Sequence, residues 1–491
     1  ASYIVDRLFE DVLCKDVILK LESGADITSW KTRRDSITSL PASVYVAYIG
    51  GGKALILIGN DHANMIESII KTFTSQVLTQ YPGLKVGVTT GTVTLEDIDE
   101  RQLFKQLKNN QYTLNPILRP ANTGLTTICD YSGDTADTVI NFGDGERLVA
   151  TSFTSKFNAF EAANARLKKD LFGTEDIEWI FPSEFDELGQ NKSTEKSKTG
   201  INDIAIVHID GNNMGARFIS CDGLEERSEL SEKVATKTLE SFKSLIQWII
   251  DKYDVLTNNL ELKEKMLPIR PIIVGGDDIT FVCNARIAVQ AAHFLMQELL
   301  SDNNGMSIDS CAGIAVIPTS YPFFRGYQMA EQLCDSAKSK MRTYNKVSKS
   351  CWLDFAFLHG ETAPTLEQFF ANEYSSLTGN MHYGPYRVYE KDKIYEDERE
   401  GLWQLLDCTQ QFKNGHVMAR NKVKELRSVL QDNEHMWTVF CNQLQHTNQS
   451  IPEVSGWEDF KEKLWVKVDD EMRTPYIDAI ELMDYILPGL E

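Results

Sequence analysis

Apolar residues recur along this chain either in short continuous runs or at three- and four-residue intervals, the patterns of covered strands and of helices with one buried stripe. Ile204-Ala205-Ile206-Val207-His208-Ile209 is a nearly continuous run ended by Asp210-Gly211, and predicts a central strand covered on both faces. Pro271-Ile272-Ile273-Val274 and Ile279-Thr280-Phe281-Val282 flank Gly275-Gly276-Asp277-Asp278, so two strands joined by a tight turn are expected there. Asn284 is placed to cap a following helix, on which Ile287, Ala291, Phe294, Leu295 and Leu299 recur at helical spacing. A strand from Ser310 to Ile317 and a helix from Tyr327 to Arg342 complete the series.

The same order occurs once earlier, and repeats should be sought before single motifs are interpreted. Val44-Tyr45-Val46-Ala47-Tyr48-Ile49 leads into Gly50-Gly51-Gly52-Lys53 and then Ala54-Leu55-Ile56-Leu57-Ile58. Asp61 is placed to cap a helix bearing Ile66, Ile69, Ile70, Phe73 and Val77, and Leu84-Lys85-Val86-Gly87-Val88 is expected to be the next strand. The interval from Gly51 to Gly87 nearly equals that from Gly275 to Gly313, so the chain holds two copies of one α/β unit, with paired carboxylates in the second. Gln190 to Thr199 has no apolar residue to anchor it and reads as an exposed linker. From about residue 356 onward, polar-apolar stretches such as Glu400 to Leu430 predict helices and few strands. The expected division is 1–95, 96–200, 201–355 and 356–491.

Composition narrows the class. With 491 residues, 42% hydrophobic and 25% charged, the chain can bury a sizeable core, and its length implies about three domains. The net charge of -21 argues against a broad nucleic-acid or anionic-lipid footprint, which needs clustered Lys and Arg, while leaving room for a local positive pocket. No stretch approaches the ~20 consecutive apolar residues of a membrane helix, and Ala1 to Asp6 lacks a basic region followed by an apolar one, so a cytoplasmic protein is expected. Nine scattered cysteines with no Cys-x-x-Cys pair fit reduced thiols.

The chemistry centres on the second hairpin. Asp277 and Asp278 at its tip, with Asp210 at the end of a neighbouring strand, are hard oxygen ligands of the kind that hold Mg2+ or Mn2+. Two such ions about 4 Å apart clamp the attacking and leaving oxygens of an in-line displacement at phosphorus. Gly275 and Gly276 allow a sharp turn and close approach of a phosphate. The same four residues also make an ordinary solvated turn, and Lys338 and Lys340 are either cations facing a triphosphate or a solvated helix face. His208 reads as a core or supporting residue, and His382 and His416 have no partner visible in sequence. Tyr321, Phe323, Phe324 and Tyr327 either stack on a base or pack strand against helix.

The segments His208-Ile209-Asp210-Gly211-Asn212-Asn213-Met214-Gly215, Gly275-Gly276-Asp277-Asp278 and Ala330-Glu331-Gln332-Leu333-Cys334-Asp335-Ser336-Ala337-Lys338 resemble the palm domain of the large subunit of type III CRISPR effector complexes, the cyclic-oligoadenylate synthetase. They are similar, more distantly, to the GGDEF diguanylate cyclases. The resemblance is strong from Asn202 to Phe355 and architectural over the first copy. It implies an α/β (α+β) fold with two ferredoxin-like palm domains, the first degenerate, and a C-terminal helical domain. It implies that Asp210, Asp277 and Asp278 are catalytic and bind Mg2+ or Mn2+ in a two-metal site. Gly211, Asn212, Asn213, Gly275, Gly276, Lys338 and Lys340 are implied to bind nucleotide, with Lys53 of the first palm helping to hold a second ATP. A 3′-hydroxyl of one nucleotide then attacks the α-phosphate of another, pyrophosphate leaves, and ring closure gives a cyclic oligonucleotide messenger in antiviral defence.

Some family features differ. The N-terminal HD nuclease is expected to be absent, since the first 40 residues contain no histidine, and Asn212 stands where relatives often carry an acid. Cys129-Asp130-Tyr131-Ser132-Gly133 lacks the second cysteine of the family's Cys-x-x-Cys-Gly element, so no zinc is expected. Expected partners are ATP or another nucleoside triphosphate, and either CRISPR effector subunits with RNA or a second copy of the chain; no membrane is expected. The rival reading is a largely non-catalytic scaffold or RNA-binding subunit of such a complex.

Overall fold

A computed structural model describes residues 2–33, 37, 39–95, 100–114, 126–143, 145–191, 202–302, 305–344, 351–358, 365–389, 399–431, 434–468 and 470–490. The chain forms two compact units, residues 1–177 with 215–233, and residues 178–214 with 234–491.

In the first unit, β1 (Val44–Gly50) and β2 (Lys53–Ile58) pair antiparallel, and α1 (Met65–Gln80) follows. Gly51 and Gly52 both have positive φ, 57° and 69°, so the two strands meet through a two-residue turn whose twist matches theirs. Val44 and Val46 pack against Ile69, Phe73 and Val77 of α1 and against Val12, Val17 and Ile18 of the N-terminal helical stretch. Each such apolar side chain contributes about 2 kcal/mol when buried. Two expectations fail here. Asp61 lies in a short turn, Asn60–His62, ahead of the helix, whose first residue is Met65. Leu84 to Val88 forms no strand: Leu84 and Val86 lie on the apolar core, but β1 is paired on one edge by β2 and bridged on the other by Asp26 at Tyr45. The alternation there reports packing on a core rather than a place in a ladder.

The second unit is built on a six-stranded sheet. Its elements are β3 (Asp203–Gly211), α2 (Gly223–Asp251, shared with the first unit), β4 (Ile269–Gly275), β5 (Asp278–Asn284), α3 (Ala288–Leu300), β6 (Ser310–Pro318), α4 (Phe323–Tyr344), β7 (Cys351–Phe357) and β8 (Tyr386–Val388). The strand order is β8-β7-β6-β3-β5-β4. The run β6-β3-β5-β4 is antiparallel throughout, which is the ferredoxin-like arrangement of a βαββαβ chain. The near-continuous apolar run of β3 is covered as expected, with Ile204 to Ile209 buried. Asn284 caps the turn before α3, its side chain accepting from the Arg286 amide.

Beyond the core of the palm, α4 returns the chain to a fifth strand, β7, parallel to β6, and β8 adds a sixth. Gly313 on β6 lets α4 approach backbone to backbone: a Cβ there would stand 2.0 Å from the Ala330 carbonyl oxygen and 2.4 Å from the Cys334 nitrogen. The region after 356 is largely helical as expected, including Leu402–Asn414 and Arg420–Gln431, but it also contributes β8 and a hairpin of Val466–Val468 with Glu471–Arg473. Of the expected linker, Gln190–Asn191 pairs with Leu260–Glu261, and residues 192–200 lie outside the described residues.

His382 has partners that sequence did not reveal. Its Nε2 stands 2.8 Å from Asp354 of β7 and its Nδ1 2.9 Å from Asp478, all three side chains being buried. Burial opposes a charge on this imidazole, but the two carboxylates overcome it and push His382 up to about 10.

Candidate active site

The site grows from the end of β3 and the tip of the β4–β5 hairpin. Asp210 pairs directly across with Asp278, and Gly275 with Asp278, which leaves Gly276-Asp277 as the two-residue turn. Gly276 has φ 62°, a conformation that favours glycine at the first central position. The tip is fixed from two sides. The Gly211 amide donates to the Asp277 carbonyl at 3.0 Å, and the Thr238 hydroxyl of α2 donates to the Gly276 carbonyl at 2.6 Å. A Cβ on Gly211 would come within 2.8 Å of the Asp277 Cβ, so a glycine is needed for this approach. Nothing lies within 4 Å of where a Cβ would be on Gly275 or Gly276, leaving open space at the turn.

After Gly211 the backbone bends away. The Asn212 amide donates to the Asp309 carbonyl at 2.7 Å, and Asn213 takes φ 58°, a left-handed conformation that asparagine tolerates. The Asn212 side chain is buried beside Cys311.

Charge in the site is unevenly balanced. Lys338 of α4 donates to Asp210 Oδ2 at 2.7 Å. Burial works against the lysine's charge, yet the bond to Asp210 and the neighbouring acids hold its pKa above the ordinary lysine range. Asp277 and Asp278 are both pushed upward, chiefly by burial and further by Asp210. Asp278 Oδ1 is buried and accepts no hydrogen bond, with His208 Nδ1 3.4 Å away. An orphaned carboxylate oxygen is costly, so this oxygen is suited to a cation. The donor set, three hard carboxylates, fits Mg2+ or Mn2+. As placed, however, no three His, Cys, Asp or Glu side chains among the described residues converge closely enough to hold a metal ion.

The structure therefore brings Asp210, Gly211, Gly275, Gly276, Asp277, Asp278 and Lys338 together. Lys340 is directed elsewhere, to an ion pair with Glu400 at 2.6 Å. Lys53 opens β2 opposite Gly50 in the first unit. Of the aromatic run, Phe323 stacks on Phe185 and on Tyr327, the packing alternative, while Phe324 is exposed.

Sequence reading missed a polar layer beneath the carboxylates. His208 Nδ1 lies 3.1 Å from the Thr280 hydroxyl, its partner across the β3–β5 register, and its ring meets Tyr327 edge-on. Tyr327 is hydrogen-bonded with Glu331, and Glu331 also faces Asp278. The signal was available: His208 and Thr280 are polar positions inside the apolar stretches 204–209 and 279–283, and Tyr327, Glu331 and Lys338 recur along one helix face at four and seven residues.

Comparison with known proteins bears on the segment that carries this site. Residues 203–347 match the family model described as Cas10/Cmr2, second palm domain. The palm resemblance and the α/β palm fold read from the sequence are thus borne out over that segment. Among solved structures, the chain is similar to Csm1 of T. onnurineus, with 14% identity, TM-score 0.47, and 99% of this chain against 65% of that one. It is similar also to a Csm1–Csm4 cassette in complex with pppApApA, at 12% identity and TM-score 0.49, over 99% of this chain and 66% of that one. An EAL/GGDEF domain protein from M. capsulatus matches at 14% identity and TM-score 0.20, over 34% of this chain and 88% of that one. The chain thus spans somewhat under two thirds of the Csm1 structures it matches. No curated protein matches it in sequence.

Proposed function

We propose that the second unit carries a metal-dependent nucleotidyltransferase site that converts ATP, or another nucleoside triphosphate, into a cyclic oligonucleotide, as part of a type III CRISPR effector large subunit. The observation that carries this reading is the direct pairing of Asp210 with Asp278 beside a Gly276-Asp277 turn, inside a segment of the Cas10/Cmr2 palm family. Asp210, Asp277 and Asp278 would hold Mg2+ or Mn2+, which supplies Lewis acidity at phosphorus and lowers the pKa of an attacking hydroxyl.

The chain's own residues do the rest. The open backbone face at Gly275 and Gly276 admits a phosphate, and Lys338 offers a compact positive charge to it. His208, bonded to Thr280, stands 3.4 Å from Asp278 Oδ1, while Thr238 and Gly211 keep the hairpin tip in place. Attack of a 3′-hydroxyl on the α-phosphorus of a second nucleotide forms the new ester and releases pyrophosphate. The partners in this reading are effector subunits and RNA. The test is pyrophosphate release from each triphosphate with Mg2+ or Mn2+, by the chain alone and with the proteins that copurify with it. The reading predicts release with at least one triphosphate and fails if none gives pyrophosphate in either setting.

A further inference from the structure

The ion pair between Lys338 and Asp210 has a consequence for how the site fills. Lys338 Nζ lies 2.7 Å from Asp210 Oδ2, and the two side chains are 19% and 32% exposed, so water and salt screen the pair less than a surface bridge. Asp210 is the carboxylate that β3 places opposite Asp278. With an ammonium seated on it, a divalent ion arriving alone meets a ligand already engaged and a positive charge in the way. The remaining acids do not make up the loss. Asp278 Oδ1, which has no hydrogen bond, is one donor still open to a cation, but no three acidic or ligating side chains converge among the described residues. The site is thus held by the lysine in a form with one metal ligand occupied.

A triphosphate changes this balance. Its oxygens carry more charge than one carboxylate and accept ammonium hydrogen bonds well. The four-carbon stem of lysine lets Nζ move while α4 stays packed on Gly313. Asp210, once released, is free to join Asp277 and Asp278.

We propose that Lys338 is a latch on the carboxylates: it occupies Asp210 when the site is empty and transfers to the phosphates of an incoming nucleoside triphosphate, so that nucleotide and divalent cation enter cooperatively. The proposal rests on the nucleotide-binding reading of this site but not on turnover. Cooperativity is reciprocal, so whatever the nucleotide does for the cation the cation does for the nucleotide.

The test uses the full chain and Mn2+ alone, followed by electron paramagnetic resonance of the free ion. Lys338→Met binds Mn2+ about tenfold more tightly than the wild type, the effect of removing one nearby like charge, and Lys338→Arg, which keeps the charge, binds it as weakly as the wild type. Equal or weaker Mn2+ binding by a folded Lys338→Met protein overturns the latch. A second measurement needs no variant. Wild-type crystals soaked in Mn2+ alone show no anomalous peak at Asp210, and those soaked with Mn2+ and a non-hydrolysable triphosphate show one with Lys338 moved off the carboxylate. A peak at Asp210 with Mn2+ alone, Lys338 still in place, also overturns it. Both readouts are independent of product: an inactive chain with the latch behaviour would sink the nucleotidyltransferase reading alone, and an active chain without it would sink the latch alone.

Discussion

The chain carries two glycine hairpins of similar local design, and the second brings its carboxylates against a third. In both, a strand runs into positive-φ glycine and returns antiparallel, and a helix follows. What differs is the neighbour. The hairpin of β4 and β5 lies against β3, a buried strand that ends in Asp210. Beside β1 the bridging residue is Asp26, but its carboxylate accepts from the Ser29 amide at 3.0 Å and from the Ser29 hydroxyl, and so is used to close its own turn. A tight turn sets where a carboxylate can stand. A fully flanked sheet decides whether a second one meets it.

The comparison breaks first if the carboxylates prove dispensable. Replacing Asp210, Asp277 or Asp278 by Asn is expected to lower pyrophosphate release at least about a thousandfold, since metal-borne charge stabilisation is worth several kcal/mol. Asp26→Asn leaves the rate within about twofold of wild type, a carboxylate spent on its own turn having no part in the chemistry. Comparable losses from both would erase the distinction between the hairpins.

Next in size is the backbone contact behind the second hairpin. Gly313→Ala puts a methyl group into the backbone of α4 and should cost about 3 kcal/mol, read as a lowered midpoint of thermal unfolding. Gly52→Ala, where nothing lies within 4 Å, bears the left-handed strain alone and costs about 1 kcal/mol.

Burial also separates the units, for the second holds charge in its interior. His382 titrates near 10 in the folded chain, above its ordinary value of 6.5. Its stabilisation is therefore complete below about pH 6.5 and is lost as pH rises toward 10, at up to about 1.4 kcal/mol per pH unit. Between pH 7 and pH 9 the unfolding midpoint should fall, by about 2 kcal/mol in stability, and His382→Gln should remove most of that slope while lowering stability at neutral pH. A slope unchanged in the variant would assign the effect to other groups.

The smallest effect expected is at His208. Bonded to Thr280, it stands 3.4 Å from Asp278 Oδ1, and His208→Gln should reduce the rate about tenfold and weaken Mn2+ binding, the usual size of an outer-sphere loss. A change in stability with neither readout moved would make His208 a packing residue.

How far the sequence reveals this arrangement depends on distance along the chain. The order of strand, hairpin, helix and strand from β3 to β6 was legible because largely apolar runs are divided by Gly and Asp, with the three carboxylates at or beside their ends, while the ferredoxin-like arrangement was implied by the palm resemblance. The fate of Leu84 to Val88 was not, because its alternation fits a strand while the available edges of β1 are already used. β8 was missed as well: three residues, Tyr386–Val388, extend the sheet across β7 with little pattern of their own. Lys338 and Lys340 look equivalent in sequence, and separating them required the helix face, which sends one to Asp210 and the other to Glu400. The polar layer of His208, Thr280, Tyr327 and Glu331 depends on cross-strand register, a property of the pairing and not of either strand.

The most direct measurement is mass spectrometry of the products formed from the four nucleoside triphosphates with Mn2+, by the wild type and by an Asp277→Ala/Asp278→Ala protein that melts at the same temperature, each with its copurifying partners. The account predicts a cyclic oligonucleotide from the wild type and none from the variant. The same product from both, or none from either, would contradict it.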